Sequence, residues 1–252
     1  MAEEEEKRAN IEEQYVTFRS HEFKRNNREE GDKLVLVTRP LSVATEQFLS
    51  IRTSLDFIVE EDAVKVMVVT SCEQNSGKTL ISANLAISFA RGGKKTLIID
   101  GDLRNPSLQR YFYCDRNRGL SSIGDISQLK DNIFETEQEN LYILPAGSIN
   151  INPADYFKSS KMKEIFNELR MHFDIIIVDT PPLLAVSDAS VVSNYADGII
   201  VVFRSGKTKL KNAKKTLRIL EQSPTPVIGS ILNDTNEFRD DYYYNYNYTK
   251  SF

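Results

Sequence analysis

Four side chains in this sequence have the chemistry to manage a phosphate: Lys78, Asp100, Asp102 and Asp179. Lys78 sits in Ser71-Cys72-Glu73-Gln74-Asn75-Ser76-Gly77-Lys78-Thr79, after the apolar run Val64–Val69 and before the helix-like stretch Leu80–Ile87. Strand, tight loop ending in Gly-Lys-Thr, then helix is an arrangement that cradles nucleotide phosphates. Backbone N–H groups at a helix start attract anions, and a lysine ammonium adds a mobile charge. Asn75, Ser76, Gly77, Lys78, Thr79 and Leu80 would form that cradle, with the Thr79 hydroxyl suited to Mg²⁺. Cys72 stands where such loops usually carry their first glycine, five residues before Gly77.

The aspartates each follow a strand-like apolar run. Asp179 ends Ile175-Ile176-Ile177-Val178 and has the form of a Mg²⁺-holding Walker B carboxylate. Asp100 and Asp102 follow Leu97-Ile98-Ile99 and flank Gly101, a residue that eases a turn. Taken singly, each aspartate is more often a strand-terminating turn residue or helix cap; three of them beside a Gly-Lys-Thr loop read as a site. A second copy of the tetrapeptide, Ser205-Gly206-Lys207-Thr208, precedes no strand ending in Asp-x-Asp and reads as a decoy.

The elements that must position these residues follow from pattern. Leu141–Leu144, Ile199–Phe203 and Val227–Leu232 add further apolar strands, and helical stretches separate them. Buried-type strands alternating with helices predict an α/β fold of P-loop NTPase type, a mostly parallel sheet with helices on both faces. Ligands bind such sheets at the carboxyl ends of the strands, which gathers Lys78 and the three aspartates around one crevice. Ser42 is placed to cap a helix reaching about Val59, with Phe48, Ile51, Leu55 and Ile58 as its apolar seam; Glu46 and Arg52 lie off it and read first as a solvated face. Asn152 caps a turn opened by Pro153, and Met162, Ile165, Phe166 and Leu169 give the next helix its apolar face. A basic helix around 208–221 is predicted to bury Leu210, Ala213, Leu217 and Leu220. Its lysines read first as a solvated face, and more sharply as a dock for an acidic tail or inner-leaflet lipid.

Domain organisation is read as a mobile charged arm (1–33), one nucleotide-binding domain (34–236) and a flexible tail (237–252). The chain has 252 residues, 40% of them hydrophobic, enough for a sizeable core. Its net charge of −4 argues against bulk attraction to nucleic acid or anionic lipid and leaves room only for local patches. No apolar run reaches 18 residues, the acidic N-terminus is unlike a signal peptide, and two cysteines give no metal-ligand spacing. A cytoplasmic protein is expected. The tail carries Tyr242, Tyr243, Tyr244, Tyr246 and Tyr248 among asparagines, a composition that buries poorly. It reads either as a sticky segment or as a clustered phosphate acceptor.

Together these motifs resemble the bacterial tyrosine kinases, cytoplasmic partners in capsule and exopolysaccharide synthesis. The resemblance covers about 34–252. It rests on Ser76-Gly77-Lys78-Thr79, on Leu97-Ile98-Ile99-Asp100-Gly101-Asp102-Leu103-Arg104-Asn105-Pro106, on Ile175-Ile176-Ile177-Val178-Asp179-Thr180-Pro181-Pro182, and on the tyrosine cluster. It implies ATP and Mg²⁺ as cofactors, Thr79, Asp100 and Asp179 around the metal, and one of Asp100 and Asp102 as acceptor of the tyrosine proton. Asn233 is implied as an adenine contact. It also implies a separately encoded transmembrane adaptor that activates the kinase at the inner face of the membrane, external protein substrates, and a ring-like homo-oligomer. Glu46 and Arg52 belong to the family's ring-forming motif, in which Leu49 replaces an arginine; Gln74-Asn75 replaces Pro-Gly in the loop. Two other readings fit the loop alone: a partitioning-type ATPase switch, which usually carries an extra lysine near the loop's start, and a nucleotide-binding adaptor without catalysis.

Overall fold

The computed structural model describes residues 33–60, 64–112, 114–148 and 152–235. The expected arm, Lys33 apart, and the five tail tyrosines lie outside the described residues. Two helices come first, α1 (Val35–Thr38) and α2 (Val43–Glu60), then β1 (Val66–Ser71), α3 (Lys78–Arg91) and β2 (Thr96–Asp100). Short 3-10 turns lead to β3 (Phe134–Glu135) and β4 (Leu141–Leu144). After α4 (Pro153–Phe157) and α5 (Ser160–His172) come β5 (Ile175–Asp179), α6 (Asp188–Val192), β6 (Gly198–Arg204), α7 (Leu210–Leu220) and β7 (Val227–Asn233).

The strands form one sheet in the order β3-β4-β2-β5-β1-β6-β7, parallel except for the β3–β4 pair. The mostly parallel sheet with helices on both faces is the predicted class. Strand residues alternate between the faces, and because both faces are covered the strands read as continuous apolar runs. On one face Met67, Val69, Ile98, Ile177 and Ile200 pack with Leu85 and Phe89 of α3 and with Leu55 of α2. On the other, Val66, Val68, Leu97, Ile99, Ile176 and Val178 pack with Met162, Ile165, Phe166 and Leu169, the predicted face of α5. Both expected caps form: Ser42 Oγ accepts from Thr45 N at 3.2 Å, and Asn152 Oδ1 from Ala154 N at 3.2 Å.

Two expectations are corrected. In α7 Thr216 and Leu220 are buried, while Leu210 and Leu217 are exposed. The helix is rotated from the leucine seam because polar groups tie it to the loop after β1. Asn212 Nδ2 donates to the Glu73 carboxylate. Arg52 is likewise not on a solvated face. Its Nη1 donates to Ser88 O at 2.9 Å at the end of α3, and Nε lies 3.5 Å from Asp56 Oδ2. Ser88 O also accepts from Gly92 N at 3.2 Å, so the guanidinium adds a second donor, a positive one, to a carbonyl in the last turn of α3, where the helix dipole favours cations.

Candidate active site

The loop between β1 and α3 holds a backbone shape that few residues adopt. Asn75 has φ +60° and Gly77 φ +88°. Neighbouring strand ends clamp it. Asn233, the last residue of β7, donates from Nδ2 to Ser76 O at 2.9 Å. Arg204, the last of β6, donates from Nη1 to Asn75 O at 2.9 Å and from Nε to Asp234 Oδ2 at 3.0 Å. A Cβ at Gly77 would displace the Asn233 amide from Ser76 O, and φ there already favours glycine. The backbone N–H groups of Gly77, Lys78 and Thr79 donate to no described residue, and Ser76 Oγ is buried without a partner. Unspent donors at a helix start are what an anion takes up.

Asn is among the few side-chain-bearing residues that tolerate the left-handed region. Asn75→Gly should therefore leave nucleotide affinity nearly unchanged, whereas Asn75→Ala should cost about 1 kcal/mol, roughly fivefold in Kd, by isothermal calorimetry.

Beside the loop, Lys78 Nζ bridges two carboxylates, at 3.5 Å from Asp102 Oδ2 and 3.4 Å from Asp179 Oδ2. Asp179 is fully buried and accepts from Thr79 Oγ1 at 2.7 Å and from Ser82 Oγ at 3.1 Å. Thr79 Oγ1 also meets Ser107 Oγ at 3.0 Å. Asp100 and Asp102, two residues apart, do different things because the chain turns after β2. Asp100 turns to backbone amides, accepting from Ser107 N at 2.9 Å, Leu108 N at 3.0 Å and Asp102 N at 3.2 Å. Asp102 faces Lys78 and accepts from Asn105 N at 3.0 Å.

Burial lowers the affinity of Lys78 for its proton, but Asp179, Asp102 and Asp100 more than offset that, so its pKa is raised. Burial, reinforced by the charge of Asp179 and opposed by the two amides and Lys78, pushes Asp100 up to about 7. Burial raises Asp102 too, against the pull of Lys78. A carboxyl near neutrality can take a proton at physiological pH. The Thr79 hydroxyl and the Asp179 carboxylate are hard oxygen donors of the kind Mg²⁺ accepts beside phosphate oxygens and water.

The structure thus brings Lys78, Thr79, Asp100, Asp102 and Asp179 together, with Asn75, Ser76, Gly77 and Asn233 around the loop. Leu80 continues α3 from it. Glu46 and Arg52 lie on α2, away from the loop. Residues 205–208 form a closed turn, in which Thr208 Oγ1 accepts from Arg204 N at 2.9 Å; Lys207 is exposed and the helix starts only at Leu210. Sequence reasoning missed Ser82, Ser107 and Arg204. Ser82 was findable, since it lies one helical turn after Lys78 and on the same face.

A family described as AAA domain matches residues 64–224. The putative tyrosine-protein kinase CapB of Staphylococcus aureus is 38% identical over 209 residues, covering 82% of this chain and 92% of the relative. Tyrosine-protein kinase YwqD of Bacillus subtilis is 36% identical, covering 79% and 85%. Among solved structures, the kinase domain of Escherichia coli tyrosine kinase ETK aligns with TM-score 0.75 at 29% identity, covering 86% of this chain and 82% of that one. The chimerical protein CapA2B2 aligns with TM-score 0.75 at 33% identity, covering 80% and 89%. The septum site-determining protein MinD of Pyrococcus horikoshii is more distant, with TM-score 0.57 at 26% identity over 67% of this chain and 69% of that one.

Proposed function

Because the chain belongs to the bacterial tyrosine-protein kinases, we propose that it transfers the γ-phosphoryl group of ATP to its own tail tyrosines, Tyr242, Tyr243, Tyr244, Tyr246 and Tyr248. The observation that carries this reading is the Lys78 bridge between Asp102 and Asp179 beside a loop whose helix-start amides are unspent. The triphosphate takes those amides and Lys78, and Asn233 flanks the base from the loop's rim. Thr79 and Asp179 would hold Mg²⁺, with Asp100 behind them, and the ion would supply neutralisation of the charge on the phosphate oxygens. The tyrosine oxygen attacks the γ-phosphorus in line, its bond to ADP breaks, and the phenolic proton passes to a carboxylate. Asp100 suits that role better than Asp102, because Asp102 is spent on an ammonium and Asp100 lies near neutrality. Catalysis is mainly positioning and electrostatics.

In this reading the described domain is flanked by a charged arm (1–33) and a flexible acceptor tail (237–252). The kinase regulates capsular or exopolysaccharide synthesis, and a transmembrane adaptor recruits and activates it at the inner membrane face. The match to the chimerical CapA2B2 supports that partnership. External protein substrates are included, and nucleic acid is not. Self-association uses α2, where Glu46 is exposed while Arg52 is held by Ser88 of its own chain.

The test is label transfer from γ-labelled ATP with Mg²⁺ and the adaptor's cytoplasmic peptide. The full chain and Lys207→Ala should both take up label, and a chain ending at residue 236 should take up none. Equal labelling of the shortened chain would refute the acceptor assignment.

A further inference from the structure

Helix α7 leaves an outward face that the kinase chemistry does not use. Residues 198–220 contain seven cations (Arg204, Lys207, Lys209, Lys211, Lys214, Lys215, Arg218) and no acidic residue, in a chain whose net charge is −4. Arg204 is engaged with Asp234; the other six are exposed, and among the described residues none of them is in an ion pair. Between these cations stand two apolar side chains that the fold does not bury, Leu210 at 70% exposed and Leu217 at 38%. They are seven residues apart, so they lie on one side of the helix about two turns from each other. The inner side is committed elsewhere, with Thr216 and Leu220 buried and Asn212 bonded to Glu73.

The neighbouring strand continues the pattern. In β7, Leu232 registers with Phe203 and Val227 with Ile199, placing them on the sheet face that α7 packs against. Leu232 is 59% exposed and Val227 40%, so α7 leaves the end of that face uncovered.

We propose that this face, formed by the outer side of α7 and the edge of β7, docks directly on an anionic bilayer. Charge complementarity selects the occupant. Lysines and an arginine without neutralising acids are attracted to anionic headgroups, and leucines interspersed with them can enter the boundary between headgroup and acyl chain. An acidic peptide would use the cations and leave the leucines without a role. The contact belongs to this chain itself and adds to recruitment by an adaptor.

The experiment is co-sedimentation of the purified full chain, without adaptor or nucleotide, on phosphatidylcholine vesicles with or without about 30% phosphatidylserine. Binding should appear only with phosphatidylserine and weaken sharply as salt is raised. Lys211→Glu/Lys214→Glu and, separately, Leu210→Ser/Leu217→Ser should each lower the partition constant by about tenfold or more while keeping the wild-type melting temperature. Should the first pair unfold the domain, Lys209→Glu/Lys215→Glu carries the same expectation. Absence of phosphatidylserine-dependent binding, or binding that survives the lysine reversals, would overturn the proposal. Loss with the lysine reversals but not with the leucine changes would also overturn it, because that result leaves Leu210 and Leu217 outside the bilayer boundary.

Discussion

Lys78→Met should lower tail phosphorylation by at least about 10²–10³-fold, the scale lost when a preorganised charge contact to the transferring group is removed. The same substitution should also destabilise the nucleotide-free domain by about 3–5 kcal/mol, because it leaves Asp102 and the fully buried Asp179 without their cation. Thermal denaturation separates the two effects. The stability loss should shrink in acid, where protonation relieves the stranded carboxylates, and adding Asp179→Asn should recover part of it at neutral pH. The activity loss should be recovered by neither. Lys207→Ala, in the exposed 205–208 turn, should change neither quantity.

Asp100→Asn should abolish most turnover and yet stabilise the nucleotide-free, metal-free domain at pH 8. The sign follows from the proton balance. Burial raises the folded-state pKa of Asp100 from 3.8 to about 7. Between those values the unfolded chain ionises while the folded one stays protonated, so this group's contribution to stability falls as pH rises and levels off above about 7. The shift corresponds to at most about 4 kcal/mol. Denaturant melts in EDTA should show wild type and Asp100→Asn drawing apart from pH 5 to pH 8, with the variant the more stable at the upper end. The hydrogen bond that the amide nitrogen cannot accept from Asp102 N reduces the gain. In the kinase assay, the wild-type rate should rise with pH through about 7, and Asp100→Asn should lose that limb and about 10²–10⁴-fold in rate. A variant that is less stable at pH 8, or that keeps the pH limb, would remove Asp100 from the proposed role.

Much of this site was legible in the sequence because parallel strands covered on both faces leave continuous apolar runs, and the residue after each run marks the edge where ligands bind. Lys78, Asp100, Asp102 and Asp179 were placed by that rule. The division of labour between Asp100 and Asp102 was not legible. It depends on the turn after β2, which presents the Ser107 and Leu108 amides to one carboxylate and leaves Lys78 to the other. The rotation of α7 was hidden for a related reason. Leucine spacing suggested the seam, but the partner of Asn212, Glu73, lies 139 positions earlier in the chain. Arg52 was misplaced because periodicity assigns a face by hydrophobicity, and a guanidinium that reaches a helix-end carbonyl looks solvated by that criterion. The Arg204 clamp on Asn75 left no local signal at all, since it joins the ends of two elements distant in sequence.

The most direct test of the central claim is peptide mass spectrometry of the full chain after incubation with Mg-ATP and the adaptor's cytoplasmic peptide. Phosphate on tyrosines between Tyr242 and Tyr248, absent in Lys78→Met, is the predicted result. Nucleotide consumed with no phosphate in that segment, or phosphate confined to tyrosines of the folded domain such as Tyr142, Tyr156 and Tyr195, would contradict it.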